Sequence, residues 1–157
     1  MITILLPCSR PDFLDTVFAS LEFLDCGREE VNLLTIVDGD NELFVNVRNR
    51  TETSKFGERL CVQFPSDEPM RNYNFMRRRH RISAIHNFAK QHIKKCHYIW
   101  CIEDDGQFRP DALKKLLHHY TLLPFAGLVS GVELGRWGIP CIGGWDFNDI
   151  YLSLIHI

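Results

Sequence analysis

His97-Tyr98-Ile99-Trp100-Cys101-Ile102-Glu103-Asp104-Asp105-Gly106 decides the reading of this 157-residue chain. Its opening, as far as Ile102, is short and rich in β-branched and aromatic residues, the pattern of a buried strand. Side chains two apart on a strand share a face, so Glu103 and Asp105 are expected to aim their carboxylates at one point, with Asp104 turned away. Two hard oxygen donors at a strand end suit Mg²⁺ or Mn²⁺, which keep some waters and take further ligands from phosphate oxygens. The competing reading is an acidic turn, because Asp and Gly are ordinary turn residues.

Working outward, strands and helices alternate. Ile2–Leu6 reads as a first strand, and residues 7–11 as a loop containing Pro7, Cys8, Ser9 and Arg10. Leu14, Val17, Phe18 and Leu21 form the stripe of a helix over about 12–25, with Gly27 as its stop. Val31–Val37 reads as a second strand ending in the turn cluster Asp38-Gly39-Asp40-Asn41. Residues 42–59 are polar and weakly periodic, which suggests a short helix and a loop, and 60–64 a short strand. After a loop over 65–73, Ile82, Ile85, Phe88, Ala89 and Ile93 mark a helix that leads to the 98–102 strand. Another helix is expected from Pro110, and a further strand at about 127–132. This order predicts an α/β fold, a mostly parallel sheet with helices on both faces. Ligands bind such sheets beyond the carboxyl ends of the strands, where the 7–10, 38–41 and 103–106 clusters all fall.

Bulk properties are those of one globular domain, 45% apolar and 24% charged, with a net charge of −2 that offers a polyanion no general attraction. No apolar run approaches the roughly 20 residues of a membrane span. Among six cysteines and seven histidines there is neither C-x-x-C nor H-E-x-x-H spacing, so the expectation is a reduced, cytoplasmic protein without structural zinc.

The landmarks resemble the nucleotide-sugar-dependent glycosyltransferases of family 2, which have the GT-A (Rossmann-like) fold. The opening strand and Pro7-Cys8-Ser9-Arg10, then Val37-Asp38-Gly39-Asp40-Asn41, Ala84-Ile85-His86-Asn87, Tyr98 to Asp105 with Pro110, and Gly143-Gly144-Trp145-Asp146 follow that family's order. Three positions depart from it: Glu103 stands for an Asp, His86 for an Arg, and Asp40 for a Gly. The resemblance implies Mn²⁺ or Mg²⁺ on Glu103 and Asp105. It also implies a nucleotide-diphosphate sugar contacted by Pro7, Cys8, Ser9, Arg10, Asp38, Asn87 and Asp104. It further implies inverting transfer to an acceptor hydroxyl that the sequence leaves unidentified, with Asp146 as the remaining candidate base.

Two other classes compete. A nucleotidyltransferase-like enzyme shares the strand-end carboxylates, but residues 7–11 lack the Gly-rich phosphate loop expected of it. The run Arg77-Arg78-Arg79-His80-Arg81 admits three readings: a solvated face, a diphosphate contact, or nucleic-acid binding aided by Tyr73 and Phe75, which the overall charge opposes. Residues 1–151 read as a single domain, incomplete on its C-terminal side. Residues 152–157 resemble a translated sequencing adaptor and are expected to be a non-native tail.

Overall fold

The computed structural model describes the backbone of residues 1–66, 75–122, 128–130, 132–134, 140–142 and 153–156, and side chains within 1–66 and 80–122. Strand β1 (Ile2–Cys8) is buried along its whole length, as is β2 (Val31–Val37), the burial pattern of parallel, mostly apolar strands covered on both faces. The helix α1 (Leu14–Glu22), entered through a 3-10 turn at Pro11–Phe13, joins them and buries Leu14, Val17 and Leu21. Next come α2 (Asn41–Thr53), β3 (Arg59–Gln63), α3 (Phe75–Ala89), β4 (Tyr98–Cys101) and α4 (Ala112–Leu122). The short strands β5 (Leu128–Ser130), β6 (Val132–Leu134), β7 (Pro140–Ile142) and β8 (Ser153–His156) complete the described elements.

The main sheet runs β3-β2-β1-β4-β8-β5, and β6 pairs with β7 in a separate ribbon. The pairs β3–β2, β2–β1 and β1–β4 are parallel; β8 lies antiparallel to both β4 and β5. Ser153–His156 forms the strand between β4 and β5. One apolar layer packs α1, α2 and α4 on Ile2, Ile4, Leu6, Leu33 and Trp100. The other packs Ile85 and Ala89 of α3 on Leu5, Leu34 and Ile36, so helices cover both faces.

Several boundaries differ from the sequence reading. Strand β1 continues through Pro7 and Cys8, although a loop was expected there. Residues 41–53 form one 13-residue helix where a short helix and loop were expected. Its inward stripe is Leu43, Val47 and Thr51, too narrow and too polar to stand out, and Thr51 is held by hydrogen bonds to Thr35 and the Val47 carbonyl. Helix α4 begins at Ala112 rather than Pro110, whose carbonyl accepts from the Asp25 amide (2.8 Å). Two separate strands, β5 and β6, stand where one was expected at 127–132.

Candidate functional site

Strand order reverses at β1, whose neighbours are β2 and β4, and this switch point opens the crevice in which sheets of this kind bind ligands. Pro7 helps to open it. Leu5 is the last residue of β1 paired with β4, its carbonyl accepting from the Ile102 amide at 3.0 Å. Pro7 follows two residues later, towards the same neighbour, and has no N–H to continue that ladder. On the other side, Cys8 still accepts from the Asp38 amide at 2.8 Å, so β1 and β2 stay joined while β1 and β4 part. Pro7, Cys8, Ser9, Asp38, Ile82, Ile85 and Glu103 line the resulting pocket.

Asp38, directly after β2, is 1% exposed. Its carboxylate is gripped by Arg81 of α3, Nε to Oδ2 at 2.9 Å and Nη2 to Oδ1 at 2.6 Å. The Arg81 guanidinium also lies over the Phe64 ring, 4.3 Å from its centroid. Arg81 belongs to the basic run read as a solvated face, a phosphate contact or a nucleic-acid contact, and it does something else. Spacing of four residues aligns Arg81 with Ile85 and Ala89 on the sheet-facing side of α3, a signal present in the sequence. The side chains of Arg77, Arg78 and Arg79 lie outside the described residues.

Strand β4 ends at Cys101, so Glu103–Gly106 is a turn, closed by the Gly106 amide on the Glu103 carbonyl at 3.0 Å. Strand alternation therefore does not govern where these carboxylates point. Asp104 is 2% exposed and ties the β4 turn to the end of β1. Its Oδ2 accepts from the amides of Ser9 (2.6 Å) and Arg10 (2.8 Å) and from the Ser9 hydroxyl (3.2 Å). Its Oδ1 accepts from Arg10 Nε at 2.9 Å and from Nη2. The other end of the same guanidinium, Nη1, meets Asp105 Oδ2 at 2.9 Å. Burial works against the Arg10 charge, but the hydrogen bonds and charges of Asp104 and then Asp105 more than offset it, so its proton is held more tightly than usual. Cys8 is the reverse case: burial, reinforced by Asp104, Cys61 and Glu103, pushes its thiol well above its ordinary range. Glu103 also adds to the burial that takes Cys101 up to about 12. Raised in this way, neither thiol is set up as a nucleophile at neutral pH.

Asp40, which departs from the family pattern, is explained locally: its side chain accepts from the Leu43 amide (2.9 Å) as the N-cap of α2. Asn87 is exposed on α3, where it accepts from Lys90 (3.1 Å), and is not among the pocket-lining residues. His86 is half-buried, and burial followed by Lys90 lowers its pKa. Gly143, Gly144, Trp145 and Asp146 lie outside the described residues.

Among the described residues no group of three or more His, Cys, Asp and Glu side chains is arranged to hold a metal by itself. The donor chemistry still fits a hard cation of the kind expected. Glu103 lines the pocket, Asp105 follows two residues later in the same turn and pairs with Arg10, and Mg²⁺ or Mn²⁺ at such sites takes one or two carboxylates and completes its shell with water and substrate phosphate.

The same arrangement of sheet and helices occurs in solved structures. Mannosyltransferase PcManGT from Pyrobaculum calidifontis, in complex with GDP-Man and Mn²⁺, superposes with a TM-score of 0.64 at 16% identity, over 84% of this chain and 35% of that one. S. aureus TarS 1-349 in complex with UDP gives 0.61 at 12% identity, over 89% and 38%. Its complex with UDP-GlcNAc gives 0.58 at 11% identity, over 89% and 37%. The chain has the GT-A fold. It spans little more than a third of the length of these structures. No protein-family model matches the sequence, and no curated protein does. The five described cysteines are free thiols, and no helix among the described residues is long and apolar enough to cross a membrane.

Proposed function

We propose that this chain is a metal-dependent glycosyltransferase, or the donor-binding part of one, that acts on a nucleotide-diphosphate sugar in the cytoplasm. The observation that carries this reading is the position of Asp38: a buried carboxylate after β2, on the wall of a crevice whose other walls are the end of β1 and Glu103. Asp38 accepts a hydrogen bond from an N–H on the edge of the base. Arg81 keeps it oriented, and its remaining lone pairs serve the ligand. Pro7, Cys8, Ser9 and Arg10 pass beneath the nucleotide, and Asp104 holds that segment in shape. Asn87 remains a donor contact only at the margin of the site. Glu103 and Asp105 would hold Mn²⁺ or Mg²⁺, which when bound supplies Lewis-acid neutralisation of the departing diphosphate. Asp146 serves as the base that takes the proton of the acceptor hydroxyl, in an inverting displacement.

A panel of UDP, GDP, UDP-GlcNAc and GDP-Man, each with and without Mn²⁺, tests the reading by thermal shift. A ligand that binds only the folded state raises the melting temperature by mass action. The expected result is a Mn²⁺-dependent rise with at least one nucleotide, lost in Asp38→Asn. Flat melting curves across the panel, or a rise that Asp38→Asn leaves intact, count against it.

A further inference from the structure

We infer that Arg10 is a movable counter-charge: a divalent cation takes the Asp105 carboxylate from it, and the released end of its guanidinium turns to the donor diphosphate. The inference rests on the reading of Glu103 and Asp105 as cation ligands. Two ends of one planar group do different work here. The Nε and Nη2 edge is anchored on Asp104, a carboxylate that is buried and fixed by both backbone amides of residues 9 and 10. The Nη1 end holds Asp105 at 2.9 Å, where Asp105 is 22% and Arg10 30% exposed, so a hydrated cation can reach the contact. The Phe13 ring, 5.4 Å from the guanidinium carbon, supports its flank.

A doubly charged hard ion competes well for a carboxylate against a guanidinium, which is always charged but only singly so. Losing Asp105 leaves Nη1 without its acceptor while the anchored edge stays in place. Phosphate oxygens suit that vacated donor, because a guanidinium fork matches their geometry. Arg10 therefore opposes the cation when it binds alone and favours the diphosphate once the cation is present, which couples the two ligands.

Arg10→Gln separates these effects. Asp104 keeps its bonds from the two backbone amides and the Ser9 hydroxyl in this variant, so the fold is retained, as an unchanged far-ultraviolet circular dichroism spectrum would confirm. Mn²⁺ alone is titrated by the loss of its free-ion paramagnetic resonance signal, and UDP and GDP by calorimetry at saturating Mn²⁺. An opposite charge within about 4–6 Å is worth one to three decades in the affinity of a carboxylate for a proton; at this partly exposed contact the low end applies. Arg10→Gln is thus expected to bind Mn²⁺ about tenfold more tightly and the nucleotide about tenfold more weakly. Arg10→Lys, which keeps the charge but loses the fork, recovers part of the nucleotide affinity. A purely structural role for Arg10 moves both affinities down together, and that result, or no change in either, overturns the inference. Wild-type protein that binds neither Mn²⁺ nor nucleotide overturns the proposed function and this inference with it. Wild-type protein that binds both, with Arg10→Gln unresponsive, overturns only the role of Arg10.

Discussion

Replacing Asp104 by Ala tests whether this residue is chiefly a clasp between β1 and β4. The side chain is 2% exposed and accepts from the Ser9 and Arg10 amides, the Ser9 hydroxyl and the Arg10 guanidinium. A buried amide left without its acceptor costs roughly 1–3 kcal/mol, and two part-buried ones are left here, so the low end applies to each. The guanidinium loses two charge-assisted bonds but keeps Asp105 and some water, so its share is discounted to about 1–2 kcal/mol. The low ends sum to about 3 kcal/mol. For a domain of this size each kcal/mol lowers the melting temperature by about 2–4 °C, so Asp104→Ala should melt about 10 °C below wild type. Urea unfolding followed by Trp fluorescence, Trp100 being in the core, measures the loss directly. The ligand-free protein is the right sample, because a sugar contact by Asp104 would leave its stability unchanged. A variant within about 0.5 kcal/mol of wild type without ligand, but impaired in nucleotide binding, would refute the clasp and return Asp104 to the donor site.

Asp105→Asn makes the contrasting case: its ion pair is partly exposed, so stability should fall by less than about 1 kcal/mol while Mn²⁺-dependent nucleotide binding drops at least tenfold by calorimetry. Equal losses of binding in Asp105→Asn and in a folded Asp104→Asn would contradict the separation of roles. Asp40→Ala removes the N-cap of α2 and should cost about 1 kcal/mol by urea denaturation, with nucleotide affinity unchanged. Burial lowers the pKa of His86 below 6.5, so the unfolded chain takes up this proton more readily than the folded one. The contribution is complete above about pH 6.5 and is lost as the pH falls from there through the lowered folded-state value; His86→Gln should flatten the slope of stability between about pH 7 and 5. An undiminished slope assigns it to another group.

The alternation of apolar stripes and runs was enough to order the parallel strands and their helices as far as α4, because burial on one face imposes a period of 3.6 or 2 on any chain that folds this way. Strand β2 was legible to the residue, its mostly apolar run being bounded by Glu30 and Asp38. Helix α2 was not, because a helix over a sheet margin needs only a narrow stripe, and one of its inward residues is Thr51. The gathering of Ser9, Asp38 and Glu103 at one sheet edge was legible as a consequence of fold class. Which carboxylate does what was not. Asp104 and Asp105 are neighbours of the same type, and a two-residue period assigns their directions only while the strand lasts; it ends at Cys101.

Sequence alone thus determined the α/β order, the parallel strands β1 to β4 and the acidic crevice at their carboxyl edge, all of which follow from local periodicity and chain direction. Tertiary structure decided the ionic partners: Arg81 with Asp38 across 43 residues, and Arg10 with Asp104 across 94. No local pattern encodes such pairs. A buried charge takes whichever opposite charge the fold carries to it, and that is settled only when β1, β2, β4 and α3 have packed together.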